Sequence, residues 1–107
     1  MFNFSIKIES LENFKNSQNF HFFLSKEELK VKNPVSLLGK VALKKAFFDC
    51  LKLNNEFKKI EIKKLKSGRP AIKIKDPKLK KKLRNKKITF SLSHTKDLAV
   101  AICLIYE

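Results

Sequence analysis

The sequence predicts an α+β fold in which an antiparallel sheet packs around one long buried helix. Three observations carry this. The stretch 36–53, SLLGKVALKKAFFDCLKL, has helical length and is apolar nearly all round, the mark of a helix inside a fold. Phe2–Glu9 and Ile88–His94 alternate apolar and polar residues, the period of a strand. Ser67-Gly-Arg-Pro70 reads as a hairpin turn, while Leu98–Tyr106 is apolar on both faces, as a central strand should be. No repeat or linker is evident, and 107 residues fit one domain, 1–107.

The long helix organises the rest. Leu38, Val41 and Ala42 lie on one side of it, and Leu43, Ala46, Phe47 and Cys50 on another. It also carries charge. At 100° per residue, Lys40 and Lys44 share one edge, and Lys45, Asp49 and Lys52 share a second. Charges are rarely buried unless paired or used, so this helix should border a polar cleft.

In chain order, Phe2–Glu9 is a half-buried strand with Lys7 and Glu9 on one polar face. Ser10–Lys15 forms a short helical turn with Leu11 and Phe14 inward, Asn16–Asn19 a loop, and Phe20–Leu24 an apolar patch. Ser25-Lys-Glu-Glu28 is a capping box that starts a short helix, and Pro34 opens the long one. Asn54 and Asn55 break the chain. Phe57–Leu65 and Ala71–Lys75 are the arms of the hairpin, with Ile60, Ile62, Ile72 and Ile74 inward. Asp76-Pro77 caps a short basic helix with Leu79 and Leu83 inward.

The formal net charge is +15, and all but Arg69 and Arg84 of the 25 basic residues are lysines. Such a balance implies an anionic partner: nucleic acid, an acidic protein or a phosphate-rich ligand. Cys50 and Cys103 sit in apolar runs and read as buried free thiols. No apolar run approaches a membrane span and the N-terminus lacks a signal pattern, so a cytoplasmic protein is expected.

Four stretches then stand in order: Gly39-Lys-Val-Ala-Leu-Lys-Lys-Ala-Phe47, Ile60-Glu-Ile62, Gly68-Arg-Pro70 and Ser91-Leu-Ser-His-Thr-Lys-Asp-Leu-Ala-Val-Ala101. Together, nearly end to end, they resemble the holo-acyl-carrier-protein synthases, the short 4′-phosphopantetheinyl transferases. The resemblance implies a 4′-phosphopantetheinyl transferase-like fold. It implies transfer of 4′-phosphopantetheine from coenzyme A to a serine of acyl carrier protein, with Mg²⁺, by a homotrimer. It places Lys40, Lys44, Gly68, Pro70, Ser93, His94 and Thr95 at coenzyme A, and Lys44, Lys45 and Asp49 at the catalytic centre.

The same alignment carries departures. The family's metal-holding carboxylates, one on the first strand and one on the long helix, fall on Lys7 and Lys45. An ammonium cannot coordinate Mg²⁺. Glu9 and Asp49 are the substitutes near those positions, and Lys45 with Asp49 reverses the family's order of charges across one helical turn. An arginine associated with carrier-protein contact falls on Asn13, and a glycine-rich link becomes Leu53-Asn-Asn-Glu56. Two alternatives stay open beside a transferase. One is a pseudoenzyme that binds coenzyme A, acyl carrier protein or a sister synthase. The other is a basic nucleic-acid-binding module, although no helix-turn-helix, zinc site or aromatic platform is evident.

Overall fold

The computed structural model describes residues 2–14, 17–53 and 56–107. Strand β1 (Phe2–Ser10) pairs antiparallel with β5 (Leu98–Tyr106), in register from Phe2 opposite Tyr106 to Ser10 opposite Leu98. Strand β4 (Lys87–His94) pairs with the other edge of β5, giving the order β1-β5-β4. A separate hairpin joins β2 (Ile60–Lys64) to β3 (Pro70–Ile74). Helix α2 (Pro34–Leu51) lies between the larger sheet and a second layer formed by α1 (Ser17–Phe23), the hairpin and short 3-10 turns. The architecture is the predicted one, an antiparallel sheet around one long buried helix.

Local chemistry explains the ends of α2. The Asn33 side chain accepts from the Val35 N–H at 2.9 Å, and Pro34 occupies the first turn. At the far end Lys52 is left-handed, with φ 57°. There the Lys52 N–H donates to the Asp49 carbonyl at 3.1 Å and the Leu53 N–H to Phe48 at 3.2 Å. This is a Schellman stop with lysine where glycine is usual, at a cost of about 1–2 kcal/mol for the left-handed backbone. The capping box forms as predicted. The Glu28 N–H donates to Ser25 Oγ at 3.2 Å and the Ser25 N–H to Glu28 Oε1 at 2.8 Å. The helix it opens is a single 3-10 turn, Glu28–Lys30. Asp76 likewise caps α3 (Pro77–Lys82) by accepting from the Leu79 N–H at 3.0 Å.

Three local expectations change. The loop expected over Asn16–Asn19 is helix from Ser17 onward; Asn16, like Asn54 and Asn55, lies outside the described residues. Phe57–Lys59 is a 3-10 turn rather than the start of a strand. The third change is the larger one. β1 is half-buried with its polar half inward. Phe2, Phe4, Ile6 and Ile8 are 64%, 62%, 52% and 65% exposed, while Ser5 and Glu9 are buried against α2. Alternation fixes the period of a strand but not which face meets the core.

Small side chains let the helix settle on the sheet. Ala99, Ala101 and Cys103 of β5 are fully buried, and a side chain at Gly39 would come within 3.1 Å of Leu92 on β4. On the opposite side of α2, a phenylalanine layer supplies the volume. Phe23 and Phe57 have ring centres 4.8 Å apart, Phe48 and Phe57 5.7 Å, and Phe14 and Phe20 5.0 Å. Among the described residues, no helix is long and apolar enough to cross a membrane.

Candidate functional site

A cleft of about 200 Å³ opens where the start of α2, the β2–β3 hairpin and the end of β4 meet. Lys40, Ile62, Gly68, Pro70, Leu92 and His94 are among its lining residues. Gly68 reaches its place in the turn with φ +90°, a conformation side chains rarely adopt. The Lys40 ammonium donates to the Ile62 carbonyl at 3.3 Å. Burial pushes Lys40 below the ordinary lysine value of 10.5, while Glu28 and Glu61 pull it partly back. The cleft therefore offers the lysines Lys40, Lys63 and Lys64, an imidazole, apolar walls and a glycine turn.

Four of the sequence-predicted ligand contacts, Lys40, Gly68, Pro70 and His94, thus come together. Three do not join them. Lys44 was expected on one open edge with Lys40. Instead it is fully buried, with its Nζ 2.5 Å from Glu28 Oε1 and 2.9 Å from the Phe23 carbonyl. The helical wheel placed the two lysines correctly in angle, but Glu28, arriving from a different segment, draws Lys44 inward. Ser93 faces away from the cleft, since Leu92 and His94 on either side of it point in. The Thr95 hydroxyl is engaged in the β4–β5 turn, accepting from the Leu98 N–H at 3.2 Å and the Asp97 N–H at 3.5 Å.

A second cluster lies where β1 meets α2. Lys45 Nζ is 2.6 Å from Glu9 Oε1 and stands over the Phe23 ring at 4.9 Å. Lys7 Nζ is 3.7 Å from Asp49 Oδ2, which also accepts from Ser5 Oγ at 2.6 Å. Both carboxylates that could substitute as metal ligands are therefore committed to ammonium groups. Among the described residues, no three His, Cys, Asp or Glu side chains gather where they could hold a metal. This donor set does not fit Mg²⁺, which needs oxygen ligands free of competing cations. The cluster belongs to the same face as the cleft. Glu9, Ala99 and His94 stand in one row across the sheet, spanning two strand spacings, about 10 Å.

The chain matches no protein-family model. It is 33% identical, over an alignment of 117 positions with gaps, to a holo-[acyl-carrier-protein] synthase of Caldicellulosiruptor bescii, with 97% of each chain covered. The chain belongs to the holo-[acyl-carrier-protein] synthase family. Solved structures of family members superpose closely. The synthase of Helicobacter pylori in complex with coenzyme A gives a TM-score of 0.76 at 27% identity, covering 96% of this chain and 99% of that one. The apo synthase of Chronobacterium ammoniagenes gives 0.80 at 22% identity, covering 98% and 96%. The synthase of Neisseria meningitidis gives 0.78 at 22% identity, covering 98% of each. These last two likenesses bear on the fold.

Two acids of this synthase-family chain, Glu28 and Glu61, were given no part in the site from the sequence. Glu28 is only 2% exposed and serves both the capping box and Lys44. Glu61, also buried, pairs with Lys75 Nζ at 2.9 Å, and that hydrogen bond holds its carboxyl below the usual range. A signal was present in both cases: an acid flanked by isoleucines in Ile60-Glu-Ile62, and a box glutamate upstream of a lysine-bearing helix. Scarce acids in so basic a chain are candidates for buried partners.

Proposed function

We propose that this chain is a holo-acyl-carrier-protein synthase that moves 4′-phosphopantetheine from coenzyme A to a serine of acyl carrier protein. The observation that carries this is convergence. Lys40, Gly68, Pro70 and His94 come from three separated stretches of chain and line one cleft. Family kinship with a synthase and likeness to a coenzyme A complex support the same reading. In it, Lys40 meets a phosphate as a point charge, His94 supplies a second polar contact, and the turn at Gly68 admits a ligand close to backbone. Transfer forms a bond from the serine oxygen, which gives its proton to solvent, to the pantetheine-bearing phosphorus and breaks that phosphorus's bond to the bridging pyrophosphate oxygen, releasing adenosine 3′,5′-bisphosphate. The ammonium groups of Lys7 and Lys45, at the positions of the family's metal ligands, meet that pyrophosphate by exchanging it for Asp49 and Glu9. A charge of +15 draws both coenzyme A and an acidic carrier toward the protein.

The exposed apolar face of β1 supports assembly with further copies of the chain, the homotrimer that the family resemblance implies. A cytoplasmic location fits both substrates.

A second reading is favoured by the two closed ion pairs, Lys7–Asp49 and Lys45–Glu9. In it the chain binds coenzyme A or carrier protein without turnover. Apo carrier protein incubated with coenzyme A and this chain separates the two readings by mass. Added phosphopantetheine, with Mg²⁺ or with chelator, is the expected result. Calorimetric binding of coenzyme A with no added mass under any divalent metal would establish the binding-only reading, and absence of both would reject each.

A further inference from the structure

The β2–β3 hairpin forms one wall of the cleft but shares no ladder with the three-stranded sheet. Its placement against α2 must come from elsewhere. Lys75 N–H donates to the Lys59 carbonyl and Leu65 N–H to Arg69, so the odd-numbered residues of this arm bond across the hairpin. Antiparallel alternation then turns the N–H and C=O of Ile62 outward. An outward strand edge inside a protein needs partners for its backbone groups.

Ile62 has two such partners. Its N–H donates to Glu28 Oε2 at 2.8 Å, and its carbonyl accepts from Lys40 Nζ at 3.3 Å. The other oxygen of Glu28 accepts from Lys44 Nζ at 2.5 Å and from the Ser25 N–H at 2.8 Å. One buried carboxylate therefore joins the segment before α2, α2 itself and the outer edge of the hairpin. The residue it grips presents its carbonyl to Lys40 in the cleft. A buried ion pair adds little stability over apolar side chains of the same size, and it imposes strict geometry on every group it touches.

We propose that Glu28, neutralised by Lys44, is a positioning residue for coenzyme A: it latches the hairpin to α2 and so sets both the cleft wall and Lys40. The proposal rests on the coenzyme A assignment of the cleft. It is tested by amide hydrogen exchange and coenzyme A titration on the parent, Glu28→Asp and a Glu28→Gln/Lys44→Met double variant. Aspartate is one methylene too short to reach Lys44, Ser25 and Ile62 together. In that variant, amides 60–64 should exchange about tenfold faster, with β5 unchanged, and coenzyme A affinity should fall by a similar factor. The double variant strands no charge and keeps an amide carbonyl for the Ile62 N–H. It should stay within about threefold of the parent in both readouts.

Unchanged hairpin exchange in Glu28→Asp overturns the latch, as does equal acceleration in β5. A double variant with slow hairpin exchange but weak binding overturns the positioning role. If the parent binds no coenzyme A, the cleft assignment and the positioning role fall with it, while hairpin exchange still decides the latch.

Discussion

Lys7 and Lys45 close ion pairs with Asp49 and Glu9 on the face where β1 meets α2. With the lysines protonated and the acids ionised, the four side chains sum to zero charge and leave no oxygen free for a cation. Converting both lysines to acids would leave four carboxylates beside the Ser5 hydroxyl. The Lys7→Asp/Lys45→Glu variant should therefore gain thermal stability on adding Mg²⁺ or Mn²⁺, by about 2.7 kcal/mol at a hundredfold excess over Kd. The parent should melt at the same temperature with Mg²⁺ or with chelator; a parent that Mg²⁺ stabilises contradicts the closed-pair description. Lys40 supplies a second test. Burial lowers its ionisation below the ordinary 10.5, so the ammonium is lost earlier as pH rises. Coenzyme A affinity should begin to fall below pH 10.5 and follow a profile that Lys40→Met abolishes. At this scale the sequence was informative about which positions matter and silent about direction. Lys44 lies where its angle on the helix says, yet only the meeting with Glu28 makes it interior.

The secondary elements were the most legible level, because their signals are local. Ser25 with Glu28, Asn33 with Pro34, and Asp76 with Pro77 fix helix starts through groups a few residues apart. The hairpin was equally plain from its turn. Its fastening was hidden, since Glu28 is 34 residues from Ile62 and Glu61 is 14 from Lys75. Glu61 gives the hairpin an acid sensitivity. Lys75, with Lys63 and Ser25, holds its carboxyl below the ordinary glutamate value of 4.5. A folded value below the unfolded one means a contribution that is full above 4.5 and drains away as pH falls through the folded value. Amides of β2 and β3 should exchange faster as pH falls below 4.5, relative to β5. Glu61→Gln should flatten that difference. A parent whose hairpin and β5 respond to acid together would show that Glu61 does not govern it.

For the whole molecule, the outer face of the sheet is the feature that most departs from the sequence reading. Phe2, Phe4, Ile6 and Ile8 are joined there by Ile102, Leu104 and Tyr106 of β5 through the pairing register. An apolar face this continuous marks an interaction surface, and the proposed assembly assigns it to further copies of the chain. Ile6→Lys would set an ammonium near its middle and should give a folded protomer that sediments as a single chain, with a melting temperature independent of concentration. The parent should melt higher as its concentration rises. A parent that sediments as one chain at every concentration removes the assembly reading. The site was harder to read than the fold because its parts are contributed by elements far apart in the chain, and because a charge swap such as Lys45 with Asp49 leaves composition unchanged.

Strand β1 carries contact surface and ion pairs on adjacent residues, Ile6 and Ile8 outward, Lys7 and Glu9 inward. Its frame is consequently policed from both sides at once. Deleting one residue within the strand would turn phenylalanine and isoleucine onto the helix and send lysine and glutamate into the apolar face, so neither half could be salvaged by adjusting the other. A two-residue shift keeps every side chain on its proper face and changes only which lysine meets which acid. Tolerance of β1 to length change should therefore run with parity, even over odd.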